Sequence, residues 1–156
     1  MQIVTSRNKI QDYLLNLREK DVDNFSKYLQ LSALSNDTKL SKIKKLIAYL
    51  SSNPEYYLYL FDSLSLPVLF DIFDGKEDEL GFDDFAPDCV ADAIQIGAMI
   101  GLFQVKDKGK TCQLALAEDA KGIVDSIRKV DSKKVYEQLE DLGKRPEQRK
   151  FLKNFL

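Results

Sequence analysis

Across residues 103–116 of this 156-residue chain, hydrophobic and polar side chains alternate, whereas elsewhere the hydrophobic ones recur every three or four positions. Phe103 and Val105 alternate before KDKGK, and Cys112, Leu114 and Leu116 alternate after it. That is the pattern of a two-stranded hairpin with glycine in its turn. One hairpin supplies no central sheet, so the core of such a chain must come from helices packed around it.

Before the hairpin the periodicity is helical. Ile10, Tyr13, Leu14 and Leu17 share one helical face, and Val22, Phe25, Tyr28 and Leu29 form a second set after a polar break. SNDTK supplies turn and capping residues for a third set, Ile43, Leu46, Ile47 and Leu50. Asn53 before Pro54 has the form of an N-cap and first position for a helix PEYYLYLFDSL. The spacing predicts four helices over residues 5–64, with no strand among them. Ser65 and Pro67 then open VLFDIFDG, with Leu69, Ile72 and Phe73 as its apolar stripe and Gly75 as its stop. After the short segment FDDFA, Pro87 opens a helix that ends near Gly101. Its expected inward positions are Val90, Ile94, Gly97 and Ile100 or Leu102, with Gly97 admitting a neighbouring helix. Beyond the hairpin, Ile123, Val124, Ile127 and Val130 resume helical spacing, as do Val135, Tyr136, Leu139 and Leu142. Pro146 opens a last segment bearing Phe151, Leu152, Phe155 and Leu156 opposite Arg149, Lys150 and Lys153.

Hydrophobic residues at 44% and charged residues at 31% are the proportions of a soluble globular protein with a packed core. No run approaches the length of a bilayer span or has the form of a secretory signal, so the expected compartment is the cytoplasm. Histidine is absent, which removes Ser-His-Asp and Cys-His catalysis and every imidazole zinc site. Cys89 and Cys112 form no CxxC pair, and neither GxxxxGK[ST] nor GxGxxG occurs. Asp84, Asp88 and Asp92 follow at i, i+4, i+8, but DIFDGKEDELGF lacks the ligand spacing of a calcium loop, so they are expected to form a solvated acidic face. The expectation is a protein that is not an enzyme, with no catalytic residue, cofactor or metal site.

Charge is unevenly distributed. Residues 1–50 hold nine Lys/Arg against five Asp/Glu, residues 71–92 hold nine acids against Lys76 alone, and residues 128–156 hold nine bases against five acids. An acidic middle lies between two basic ends.

The order of elements over residues 66–128, with Ile100, Gly101, Leu102 and Phe103 leaving one helix, a hairpin, and Ala117 to Gly122 opening the next, resembles a winged helix-turn-helix. Taken with the helical spacing on either side, the resemblance predicts a mainly α fold in three parts: an N-terminal helical bundle (1–64) packed on a winged-helix-like domain with one β-hairpin (65–130), then C-terminal helices (131–156). It also implies that the third helix is the reading element, here presenting Pro87, Asp88, Cys89, Ala91, Asp92 and Gln95. Only Gln95 suits a base edge, and the aspartates oppose phosphates. The wing carries Lys106, Lys108 and Lys110, which suit a nucleic-acid backbone and equally suit the exposed edge of a soluble hairpin.

Two functions follow. One is a recognition protein, a regulator or a subunit of a nucleic-acid-handling assembly. Its acidic face of Asp83, Asp84, Asp88 and Asp92 would meet a basic protein partner, while the wing or the basic ends meet nucleic acid. The other is a sequence-specific DNA-binding regulator using Gln95 and the wing lysines. The C-terminal segment is expected to pack on its own domain or on a second copy, with a membrane surface as the lesser alternative. Tyr56, Tyr57 and Tyr59 are expected to be buried rings with hydroxyls at the edge rather than base-stacking platforms.

Overall fold

A computed structural model, which describes residues 2–28, 38–76, 88–108 and 111–141, puts a strand where the hydrophobic spacing predicts none. β1 (Gln2–Thr5) precedes α1 (Ile10–Leu14), α2 (Glu19–Tyr28), α3 (Lys39–Ser52), a 3-10 helix (Pro54–Tyr59) and α4 (Ser65–Phe73). α5 (Asp88–Met99), β2 (Phe103–Lys108), β3 (Thr111–Leu116), α6 (Ala120–Arg128) and α7 (Ser132–Asp141) follow. The described residues are therefore mainly helical around a three-stranded sheet. FDDFA and the segment after Pro146 lie outside them.

The hairpin forms where the alternation predicts it, with Phe103 opposite Leu116 and Lys108 opposite Thr111. β3 is the middle strand, because β1 pairs with its other edge in parallel, from Gln2 opposite Gln113 to Thr5 opposite Leu116. The all-helical first half is thus corrected. Ile3, Val4 and Thr5 are three consecutive β-branched residues that lose little by extending, and β3 offers them unpaired backbone groups.

The turn after β1 is fastened to residues 115–119. Ser6 N–H donates to the Leu116 carbonyl at 2.9 Å, Glu118 N–H to that of Asn8 at 2.7 Å, and the Tyr13 hydroxyl to that of Ala115 at 3.1 Å. The first N–H of α1, on Ile10, donates to the Asp119 carboxylate at 2.9 Å, so a residue more than a hundred positions away satisfies a group that a helix start leaves orphaned.

α3 starts as predicted, its N-cap Thr38 accepting from Ser41 N–H at 3.2 Å, and it buries Ile43, Leu46 and Leu50. It also buries Lys42, whose ammonium lies 2.8 Å from Asp23 and 3.1 Å from Glu19. Those pairs join α3 to α2, and the bonds to Asp23 and then Glu19 raise the Lys42 pKa. Asn53 opens the next helix as expected, with Pro54 at its first position, and also closes α3, its side-chain amide donating to the Tyr49 carbonyl at 2.9 Å. PEYYLY winds as a 3-10 helix. Tyr57, Leu58, Leu60 and Phe61 are all buried there, between α3, α6 and α7. The Tyr136 hydroxyl on α7 closes this layer, donating to the Phe61 carbonyl at 2.6 Å.

Leu69 and Ile72 on α4 are fully buried and Gly75 stops the helix at φ +72°, as the pattern predicts. On α5 the buried face is Val90, Ala93, Ile96 and Gly97, continuing to Ile100 and Leu102. Ile96 takes the place expected of Ile94, which is half-buried. Gly97 admits no helix: it faces the Phe103 ring of β2, into which a Cβ at 97 would run. Gly101 turns the chain between them at φ +81°, with the Ile10 carbonyl only 3.0 Å from where a Cβ would stand. Both glycines serve the same joint, where α5 hands over to the hairpin.

The ring of Phe103 is fully buried and has nowhere to retreat. Gly97→Ala is therefore expected to destabilise the fold, because overpacking costs about 1–3 kcal/mol against roughly 1 kcal/mol gained in helix propensity. Urea unfolding of the variant beside the wild type measures the difference, and a more stable variant would contradict this packing.

Candidate recognition face

α5 presents one stripe to solvent. Asp88, Ala91 and Gln95 are exposed and Asp92 is half-buried, and 88, 92 and 95 follow at i, i+4, i+7 on one side of the helix. The helix contains no lysine or arginine. Asp83 and Asp84, the other members of the expected acidic face, lie outside the described residues.

Folding adds an acid that sequence spacing does not bring to this face. Asp62, thirty positions before Asp92, sits in the turn that starts α4. Its carboxylate accepts from Leu64 and Ser65 N–H at 3.0 and 2.7 Å, while the Ser65 hydroxyl accepts from Asp62 N–H at 3.0 Å. The start signal at Ser65 is thus real but centred three residues earlier, on a reciprocal cap. α4 packs on α5, and Asp62 comes near Asp92. Partial burial of Asp92, then the charges of Asp62 and Asp88, raise its pKa above the ordinary carboxylate value. The charges of two aspartates, one in the turn before α4 and one on α5, therefore both act on Asp92.

Two other described members of the acidic block, Asp71 and Asp74, are paired within the fold. Asp74 pairs with Arg128 at 2.6 Å, and the same guanidinium donates to the Phe70 carbonyl at 3.2 Å and covers the Phe70 ring at 4.6 Å. Lys76 lies 3.8 Å from Asp71. Among the described residues, the acids of the block that these pairs leave to a partner are Asp88 and Asp92.

Of the wing lysines, Lys106 is exposed on β2, an edge strand of the sheet. It shares its face with Gln104, and with Gln113 and Gln2, whose side chains are joined at 3.1 Å. Lys108 ends β2, and its side chain, like Lys110, lies outside the described residues. On the other face Phe103 is buried while Val105 is 40% exposed, so the alternation marks the strand correctly but only its first residue reaches the core.

Of the three tyrosines expected as buried rings, one is buried and two, Tyr56 and Tyr59, are half-buried. Tyr57 is buried, and burial raises its pKa. Tyr56 is half-buried and stacks on Tyr49 at 5.2 Å and meets Tyr59 edge-on at 5.0 Å, so these rings use their faces on one another. A hydrogen bond to Tyr56, with some burial, pushes the Tyr49 pKa up to about 12.

Among the described residues every buried side-chain nitrogen or oxygen has a hydrogen-bond partner. No three His, Cys, Asp or Glu side chains gather there as a metal-binding group, and no described helix is long and apolar enough to cross a membrane. Compared with known proteins, the chain matches no family model, no curated protein and no solved structure.

Two titrations check these surroundings. Asp92 has a folded-state pKa above its unfolded value, so its ionisation erodes stability as pH rises from the ordinary value of 3.8 through the raised one. Asp92→Asn is expected to melt higher than wild type at neutral pH and to lose that advantage below the ordinary value, in thermal unfolding followed across pH. Tyr49 is also an acid with a raised pKa, so its contribution holds up to the ordinary 10.0 and is lost as pH climbs toward 12. Tyr56→Phe is expected to bring the Tyr49 phenolate transition down toward 10.0 in an ultraviolet titration, while an unmoved transition would deny the hydrogen bond.

Proposed function

We propose that this chain is a non-enzymatic recognition protein, a regulator or a subunit of a nucleic-acid-handling assembly, which takes a basic protein partner on the acidic stripe of α5. The observation that carries the proposal is the sign of that stripe: Asp88, Ala91, Asp92 and Gln95 face outward with no base among them, and Asp62 adds a further carboxylate. Winged-helix proteins that grip DNA need cations at this position, since phosphate neutralisation supplies most duplex affinity. The order α4, α5, β2, β3, α6 supports the winged-helix-like part of the proposal. The parallel strand β1, which comes from the chain's first residues, is an addition to that arrangement.

A second reading, a DNA-binding regulator, is favoured by the exposed Lys106 and its place on an edge strand, from which a lysine reaches a backbone as readily as it discourages edge pairing. Two probes separate the readings. The acidic-face proposal expects a labelled oligolysine peptide to bind at low salt, with affinity falling as salt rises and dropping about tenfold or more in the Asp88→Lys, Asp92→Lys double variant. A labelled DNA duplex is expected not to bind under the same conditions. Duplex binding that Lys106→Glu and Lys108→Glu abolish, without oligolysine binding, would overturn the proposal in favour of the regulator.

A further inference from the structure

A groove of about 480 Å³ lies between the start of α4 and the outer face of α7. Leu66, Pro67, Phe70 and Tyr136 line it with apolar surface, while Glu137 and Glu140 stand on its α7 wall. Both glutamates are exposed, and being three residues apart they lie on one side of the helix. Ser63 closes the α4 end. Next to it Leu64 is 70% exposed, the most solvent-accessible large hydrophobic side chain among the described residues. Asp62, one residue further back, belongs to the aspartate group at α5. The turn 62–64 therefore joins the acidic stripe to the groove.

The charges beside the groove are unbalanced. Lys133 lines the same wall, but the two glutamates outnumber it. The nearby Arg128 is committed to Asp74 and to the Phe70 carbonyl. An apolar trough with an exposed leucine at its lip and carboxylates along it matches a segment that is itself apolar on one side and cationic on the other. Grooves of this kind take amphipathic helices through anchors at i, i+3, i+4 and i+7, and a trough this size holds two or three such anchors.

We infer that the α4–α7 groove is the docking site for a cationic amphipathic helix of a protein partner, with apolar anchors against Leu64, Leu66, Pro67 and Phe70 and Lys or Arg side chains toward Glu137 and Glu140. The inference rests on the acidic-face proposal and adds to it: the partner is recognised by an apolar stripe as well as by charge.

The test compares a designed leucine–lysine amphipathic peptide with an oligolysine peptide of the same charge, each titrated into the full chain by fluorescence anisotropy. The amphipathic peptide is expected to bind about tenfold tighter or more. Leu64→Ser with Pro67→Ser, both at exposed positions, is expected to abolish that margin and leave oligolysine binding unchanged. Glu137→Gln with Glu140→Gln is expected to weaken the amphipathic peptide more than oligolysine. Equal binding of the two peptides, or a margin that survives the Leu64 and Pro67 changes, overturns the groove and leaves the acidic stripe standing. Binding of neither peptide, with binding of a duplex, overturns both. Self-association of the chain that Leu64→Ser abolishes would give the groove to a second copy and likewise overturn the inference. Circular dichroism melting of each variant confirms that the fold is retained.

Discussion

The described structure depends on β3 occupying the centre of its sheet. A hairpin alone is marginal in water, and its inner strand would leave one backbone edge unpaired. β1 fills that edge, and because it pairs in parallel it needs a long connection, which here is most of the chain. The end of β3 and the residues after it then collect further bonds. Leu116 accepts from Ser6, Asp119 from Ile10, and Ala117 N–H donates to the Leu102 carbonyl at 2.9 Å. One short segment thereby fixes the entry to α1, the exit from α5 and the start of α6. Such contacts are distant in sequence, so loop closure must come before most of the stabilisation they bring.

The helices are placed by contacts of a different kind. Gly97 lets the Phe103 ring lie directly on α5, and Gly101 makes the sharp turn that brings the ring there. The 3-10 helix, which touches α3, α6 and α7, and the two residues after it fill the middle of the helical layer with Tyr57, Leu58, Leu60 and Phe61. Arg128 ties α6 to α4 through Asp74 and Phe70, and Lys42 ties α3 to α2. These last two joints use charged residues that a count of charge by block assigns to the surface.

That redistribution of charge is what turns composition into a candidate site. The acidic block of residues 71–92 contains Asp71 and Asp74, which are paired, and Asp88 and Asp92, which face outward at the start of α5. Folding then brings in Asp62, which lies outside the block, and sets Glu137 and Glu140 beside an apolar groove near it. The proposed recognition surface draws on α4, α5 and α7, whose members stand about thirty to eighty positions apart, and no local pattern links them.

Hydrophobic periodicity and punctuation by themselves determined the helical elements and the hairpin. The stripes at Ile43, Leu46 and Leu50, at Leu69 and Ile72, and at Val124 and Ile127 are buried as their spacing requires, because a 3.6-residue repeat puts them on one face wherever that face is directed. Thr38, Gly75 and the alternation of residues 103–116 marked their boundaries for equally local reasons. Only the tertiary structure decided the rest. β1 exists because β3 has an open edge, the run after Pro54 winds tightly because it is enclosed on several sides, and Ile96 rather than Ile94 turns inward because Phe103 fixes the rotation of α5. Each of these depends on a partner distant in sequence or on packing from several sides, and a single pass along the chain detects periodicity but not proximity.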